Sequence, residues 1–187
     1  MEAQHEGTVS AVDISTDGLK VLCGTLYGSI GILDKSNKNY KTILRSHTDE
    51  ILTIDYHLMK GILITASRDK TIRLWNIETQ QEVYEFSSPT DQPLCISSHP
   101  TQPMFACGFE SGKMRIFDTD TTEVVDEFSQ FNKPLKSLKY DNNGKFLIAC
   151  CADGSVSIHN AQRKHLPIKM MHLETAPEFV HVAFTDR

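Results

Sequence analysis

Long apolar runs are missing from this chain. Nowhere in its 187 residues does a stretch approach the roughly 20 apolar residues a membrane-spanning helix needs, so membrane insertion by a helix is excluded. Positive charge is not in excess either. Nineteen lysines and arginines face 24 acids, for a net charge of −5, which argues against a nucleic-acid footprint spread over the domain. None of the five cysteines (Cys23, Cys95, Cys107, Cys150, Cys151) forms a C-x-x-C pair, so zinc knuckles and redox motifs are not expected. An odd cysteine count argues against a disulfide framework, and the apolar surroundings read as small buried thiols in a reducing cytoplasmic compartment. Residues 1–6 lack the basic start and apolar core of a secretory signal. No G-x-x-x-x-G-K loop and no strained nucleophile turn occurs, so neither a catalytic nor a cofactor site is expected, and no histidine spacing suggests a metal. A sustained 3.6-residue apolar period is absent, which removes long helices. Tryptophan occurs once, at Trp75.

What is present is a repeat. Leu33-Asp34, Trp75-Asn76, Phe117-Asp118 and His159-Asn160 stand at a constant step of 42 residues. Ile30, Ile72, Met114 and Val156 form a second column, and Ile32, Leu74, Ile116 and Ile158 a third. Val12, Ile54, Ile96, Leu138 and Val180 form a fourth, whose last member opens a fifth copy. Within each copy the apolar period is two, as along Thr71-Ile72-Arg73-Leu74, and turn residues such as Asn142-Asn143-Gly144 separate the runs. The pattern predicts four short strands per copy, near 51–56, 62–67, 71–75 and 82–86 in the second. Four strands in a 42-residue unit describe a propeller blade. The expected fold is all-β, with blades of four antiparallel strands at 5–46, 47–88, 89–130 and 131–172 and the start of a fifth at 173–187. Four blades and a first strand make an incomplete ring, so a segment of a longer protein is expected ahead of a half-ring completed by a partner.

His47, Asp69 and Trp75-Asn76 resemble the His…Asp…Trp-Asp signature of the WD-repeat β-propeller family, and the resemblance extends over nearly all of the chain. It implies a buried tetrad in which Asp69 binds His47, His47 binds a strand hydroxyl, and that hydroxyl receives the Trp75 indole. By position the hydroxyl is Thr65, with Ser67 on the same strand face as second candidate. The other copies depart from the signature. Their His column reads His5, Pro89 and Phe131, their Asp column Tyr27, Ser111 and Asp153, and their Trp column Leu33, Phe117 and His159. Only the second copy is expected to complete a network, with apolar packing in the rest.

The resemblance also implies partner binding at rim loops, and the corresponding positions nominate Tyr27, Glu50, Arg68, Gln92 and Glu110. Asp13, Asp55, Ser97, Lys139 and His181 form a first-strand column expected to be solvated channel-facing residues rather than an acid cluster. Lys35–Arg45, and Lys133, Lys136 and Lys139, are basic stretches. They read as solvated outer edges ahead of a patch for an acidic partner. Gly28–Asp34, Arg45–Thr48, His99–Pro103 and Cys107–Gly112 are similar to strings in a centriole- and cilium-associated member of the family. That similarity implies a non-catalytic scaffold at the centriole or ciliary base, with centriolar or microtubule-associated proteins as partners. The alternative is a substrate-recognition subunit of a larger complex, such as a ubiquitin ligase.

Overall fold

The computed structural model describes residues 7–15, 18–45 and 47–174. Among them the chain forms four four-stranded antiparallel sheets, each built from four consecutive strands. The first blade holds β1 (Val9–Ile14), β2 (Lys20–Thr25), β3 (Ser29–Asp34) and β4 (Asn39–Arg45). The second holds β5 (Ile51–His57), β6 (Ile62–Ser67), β7 (Thr71–Asn76) and β8 (Gln81–Ser87). The third holds β9 (Pro93–Ser98), β10 (Met104–Phe109), β11 (Met114–Asp118) and β12 (Val124–Phe128). The fourth holds β13 (Leu135–Tyr140), β14 (Phe146–Cys151), β15 (Ser155–Asn160) and β16 (Leu166–His172). The first strand of a fifth copy at 178–182, with Val180 and His181, lies outside the described residues, as do His5 and Thr16-Asp17 of the first turn.

Sequence pattern explains which strand lies where. Inner strands read apolar almost without a break: Leu63, Ile64 and Ala66 on β6 and Leu147, Ala149 and Cys151 on β14 are all buried. Both faces of these strands are covered, which is why strict alternation lapses there. Outer strands β8 and β12 are mostly exposed and acidic. Their open edges are held by charge: Glu82 and Glu85 pair with Arg73 at 3.4 and 2.8 Å, and Glu127 with Lys113 and Arg115 at 2.8 and 2.6 Å.

The chain divides into two compact units, Met1–Pro93 and Leu94–Arg187. In the first, Leu22, Ile30, Ile51, Ile54, Leu63 and Trp75 form one core across two blades. In the second, Ala106, Met114, Leu135, Leu138 and Leu147 do the same. Glycine makes both junctions close. A Cβ on Gly24 would stand 2.5 Å from Ile51, and one on Gly108 would stand 2.8 Å from Leu135. The same contact thus recurs after 84 residues. A β-bulge also recurs, at Val9/Ala11, Ile51/Thr53 and Leu135/Ser137. In the turns joining third and fourth strands, Lys38, Gln80, Thr122 and Lys164 all take left-handed backbone, with φ of 56, 58, 58 and 50°. Side chains other than glycine in that region are uncommon, and four in one column mark a turn fixed by the blade rather than by its residues.

Candidate functional site

The second blade gathers His47, Thr65, Asp69 and Trp75 into one buried chain of hydrogen bonds. The Trp75 indole N–H donates to Thr65 Oγ1 at 2.9 Å, and the Thr65 hydroxyl meets His47 Nε2 at 2.7 Å. His47 Nδ1 faces Asp69 Oδ2 at 2.9 Å. With Thr65 donating to Nε2, Nδ1 carries the imidazole proton and every polar atom is partnered. Ser67, the other hydroxyl on that strand face, donates instead to the Asp49 carbonyl and accepts from the Asp69 amide. Thr71 is a fifth member that the signature did not single out. Its hydroxyl donates to Asp69 Oδ1 at 2.7 Å, and its amide to the same oxygen at 3.0 Å. The Thr48 amide donates to Oδ2 at 3.1 Å. Burial alone would raise the Asp69 pKa, but the bonds from His47, Thr71 and Thr48 outweigh it and hold the carboxyl well below the usual carboxylate range. The column Ser29, Thr71, Lys113, Ser155, two residues after each turn position, was the available signal.

The fourth blade corrects the expectation that the other copies rely on apolar packing. His159, in the tryptophan column, is fully buried, and its ring nitrogens are both used. Nδ1 donates to the His165 carbonyl at 2.8 Å. Nε2 is bounded by Ser157 Oγ at 2.9 Å and by the Gln130 amide nitrogen at 2.8 Å, and that amide also donates to Ser157. His165 Nε2 meets the Tyr140 hydroxyl at 2.7 Å, and its Nδ1 lies 3.6 Å from Asp126. The physical reason is space. A smaller ring in the tryptophan column leaves room for a hydroxyl and an amide, and Ala149 at the Thr65 position offers no acceptor, so the partners come from Ser157 and Gln130. His99 belongs to the same unit and stacks edgewise on Tyr140. Its Nε2 donates to the Gly144 carbonyl at 3.0 Å, while Nδ1 accepts the amides of Thr101 and Gln102. Burial lowers the pKa of His99, His159 and His165, with carbonyl contacts opposing it for the first two and Asp126 for the third. The first and third blades are the apolar cases. Leu33 fills the column in one, and Phe117 stacks on Phe105 at 4.9 Å in the other.

The first-strand column is likewise not simply solvated. Asp13 Oδ2 accepts the Tyr56 amide at 2.9 Å, and Ser97 Oγ accepts the Tyr140 amide at 3.0 Å. Each side chain clasps the next blade's first strand, satisfying a backbone donor that the sheet leaves over. Ser10 adds a bond to the Ile51 carbonyl at 2.6 Å. The step of 84 residues that relates Asp13 to Ser97 also relates Tyr56 to Tyr140, so the clasp occurs once in each unit.

Of the rim residues, Tyr27 is 74% exposed, the most open large hydrophobic side chain among the described residues. Glu50 and Arg68 pair at 2.6 Å across the same unit's turn and loop. Gln92 is engaged: its amide donates to the Ser67 carbonyl at 2.6 Å and locks a loop. Glu110 is exposed at the corresponding turn of the second unit. All five cysteines are free and buried, and burial pushes the thiol of Cys95 up to about 12, which makes it a packing group rather than a nucleophile.

Comparison with known proteins adds a family context. The family model described as WDR90/POC16, second beta-propeller, matches residues 53–179. The chain is 39% identical over 164 residues to WD repeat-containing protein 90 of Xenopus tropicalis, covering 88% of this chain and 9% of that protein. It is 31% identical over 173 residues to centriole proteome protein 16 of Chlamydomonas reinhardtii, covering 91% of this chain and 8% of that protein. Identity to echinoderm microtubule-associated protein-like 4 of Xenopus laevis is 28% over 155 residues, covering 82% and 16% respectively. The chain therefore spans under a tenth of the length of the first two.

Proposed function

The chain belongs to the WDR90/POC16 second β-propeller family, and from that premise we propose that it is a non-catalytic interaction scaffold acting in centriole or cilium assembly. The buried polar groups support this reading. In the second and fourth blades the side chains capable of chemistry are consumed by one another, and recognition is left to the loops. The observation that carries it is Tyr27, an aromatic ring 74% exposed on the rim that also bears the Glu50–Arg68 pair. Aromatic and arginine side chains anchor protein interfaces, because each brings large contact area with a polar end. Glu110 offers the same kind of exposed contact in the second unit. The names of the relatives, one from a centriole proteome and one microtubule-associated, favour centriolar or microtubule-associated partners and a centriolar location.

Proximity labelling with the full-length parent, wild type against Tyr27→Ala with Arg68→Glu, tests this. A set of centriolar proteins labelled by the wild type and lost in the variant is the expected result. An unchanged set removes the rim from the proposal, and labelling dominated by ubiquitin-ligase subunits replaces the scaffold by a substrate receptor.

A further inference from the structure

A groove lies between the first two blades, at strand ends opposite to the rim just described. Lys20 opens β2 and Thr25 closes it beside Tyr27, so the two sites occupy opposite ends of one strand. Lys20, Ile32, Asp34, Asn37, Lys41 and Ile77 line it, with Asn39 and Gln80 completing the wall, around about 250 Å³. That is below the roughly 300–1,000 Å³ of pockets that enclose a small molecule. The space suits one side chain of a passing peptide. Its floor is apolar, from Ile32, only 8% exposed, and Ile77, which packs on the first unit's core.

Charge selects what can lie across it. Asp34 is turned into its own turn, accepting the Ser36 amide and hydroxyl and the Asn37 amide group. Those bonds, first that of the Ser36 hydroxyl, keep its pKa low, so it stays ionised and offsets one lysine. Lys41 remains, and Lys35 and Lys38 stand exposed on the same turn. None of these lysines forms an ion pair among the described residues, although the chain as a whole is acidic at −5. Both walls are fixed before any ligand arrives. Asn37 Oδ1 accepts the Asn39 amide, and Asn76 Oδ1 accepts the amides of Glu78 and Thr79. A prearranged wall lowers the entropic cost of binding.

We propose that this groove binds an acidic peptide segment of a partner protein. An apolar side chain would rest on Ile32 and Ile77, and flanking carboxylates would meet Lys41 and the exposed Lys35. It is a second contact, independent of the Tyr27 rim.

Fluorescence anisotropy of the 187-residue chain with a labelled peptide bearing glutamates on both sides of a single leucine tests it. Lys41→Glu is expected to weaken binding about tenfold, and Ile77→Ser to weaken it about fivefold, with the wild-type affinity falling as salt rises. Replacing the peptide's leucine by serine should match the Ile77 effect. Lys133→Glu with Lys136→Glu, in the other unit, should change nothing, nor should Tyr27→Ala. Equal losses from the Lys133/Lys136 variant would overturn the proposal, as would a serine peptide that binds as tightly. Absence of wild-type binding, or capture of phosphatidylserine vesicles in its place, would overturn it as well. Lys41 is exposed on an outer strand, so its variant keeps the fold, and Lys35→Glu gives a second reading of the same charge.

Discussion

The polar centres of the second and fourth blades stand in the same columns and are built from different chemistry. In the second, a carboxylate reaches in from the turn and anchors an imidazole, a hydroxyl and an indole. In the fourth, the turn acid Asp153 stays partly exposed outside the buried centre and accepts the Ser155 amide of its own turn. The centre there is built on neutral side chains: two histidines, a tyrosine, a serine and a glutamine meet one another and a backbone carbonyl, and the Asp126 carboxylate lies 3.6 Å from His165 at its edge. The blade fixes a space to be filled and donors to be met, and more than one set of residues can meet them. The two solutions differ in what breaks them.

Loss of the turn acid separates them most. Asp69→Ala should destabilise the first unit by about 3 kcal/mol, because it strands His47, Thr71 and two amides at once. Asp153→Ala should cost no more than about 0.5 kcal/mol, as for other surface changes. Urea unfolding of both variants checks this, and equal losses would dissolve the comparison. The hydroxyls come next. Thr65→Val removes a group that serves both Trp75 and His47 and should cost about 2 kcal/mol. Ser157→Ala should cost about half of that, since Gln130 still reaches His159. Differential melting of the pair measures the ratio.

Acid should split the units in a third way. His99, His159 and His165 are held neutral by burial, and the Nδ1 of His99 faces two amide donors, so a proton there has no acceptor. Their folded pKa values lie below the unfolded value of about 6.5. The stability they contribute is complete above that value and drains away as pH falls through it toward the folded values. Asp69 is depressed from the ordinary carboxylate range, so its contribution survives until pH falls below about 4. Hydrogen exchange, corrected for intrinsic rates, should therefore show β14 and β15 losing protection between about pH 7 and pH 5 while β6 and β7 keep theirs. Loss in both at the same pH would contradict the assignment. The smallest effect belongs to the rim: Glu50→Ala should change stability by less than about 0.5 kcal/mol, as an exposed ion pair does, while weakening any partner that uses Arg68.

Strands, turns and the second-blade tetrad were open to reading because each is a local pattern repeated at a fixed step. Trp75, with a hydroxyl ten residues before it and an acid six before it, leaves few arrangements. The fourth-blade centre was hidden because its members, Gln130, Tyr140, Ser157 and His165, stand in no shared column and meet only through tertiary packing. The clasp by Asp13 and Ser97 was hidden for another reason. A polar residue alternating on a first strand looks solvent-facing until the neighbouring blade presents an amide to it. Gln92, nominated as a rim contact, is held by the Ser67 carbonyl. The groove at Lys20 and Lys41 needs two turns from different blades, which no single repeat displays.

The close junction at Gly24 and Ile51, repeated at Gly108 and Leu135, bears on how the molecule can be recombined. The second blade carries Ala66 in that glycine column. A chimera that slides the sequence by one blade would set a methyl group against a branched side chain where only hydrogen fits. A chimera that exchanges whole pairs keeps hydrogen opposite isoleucine or leucine at both junctions. Pairs of blades, rather than single ones, are the cassettes that can be traded within this chain without redesigning the seam.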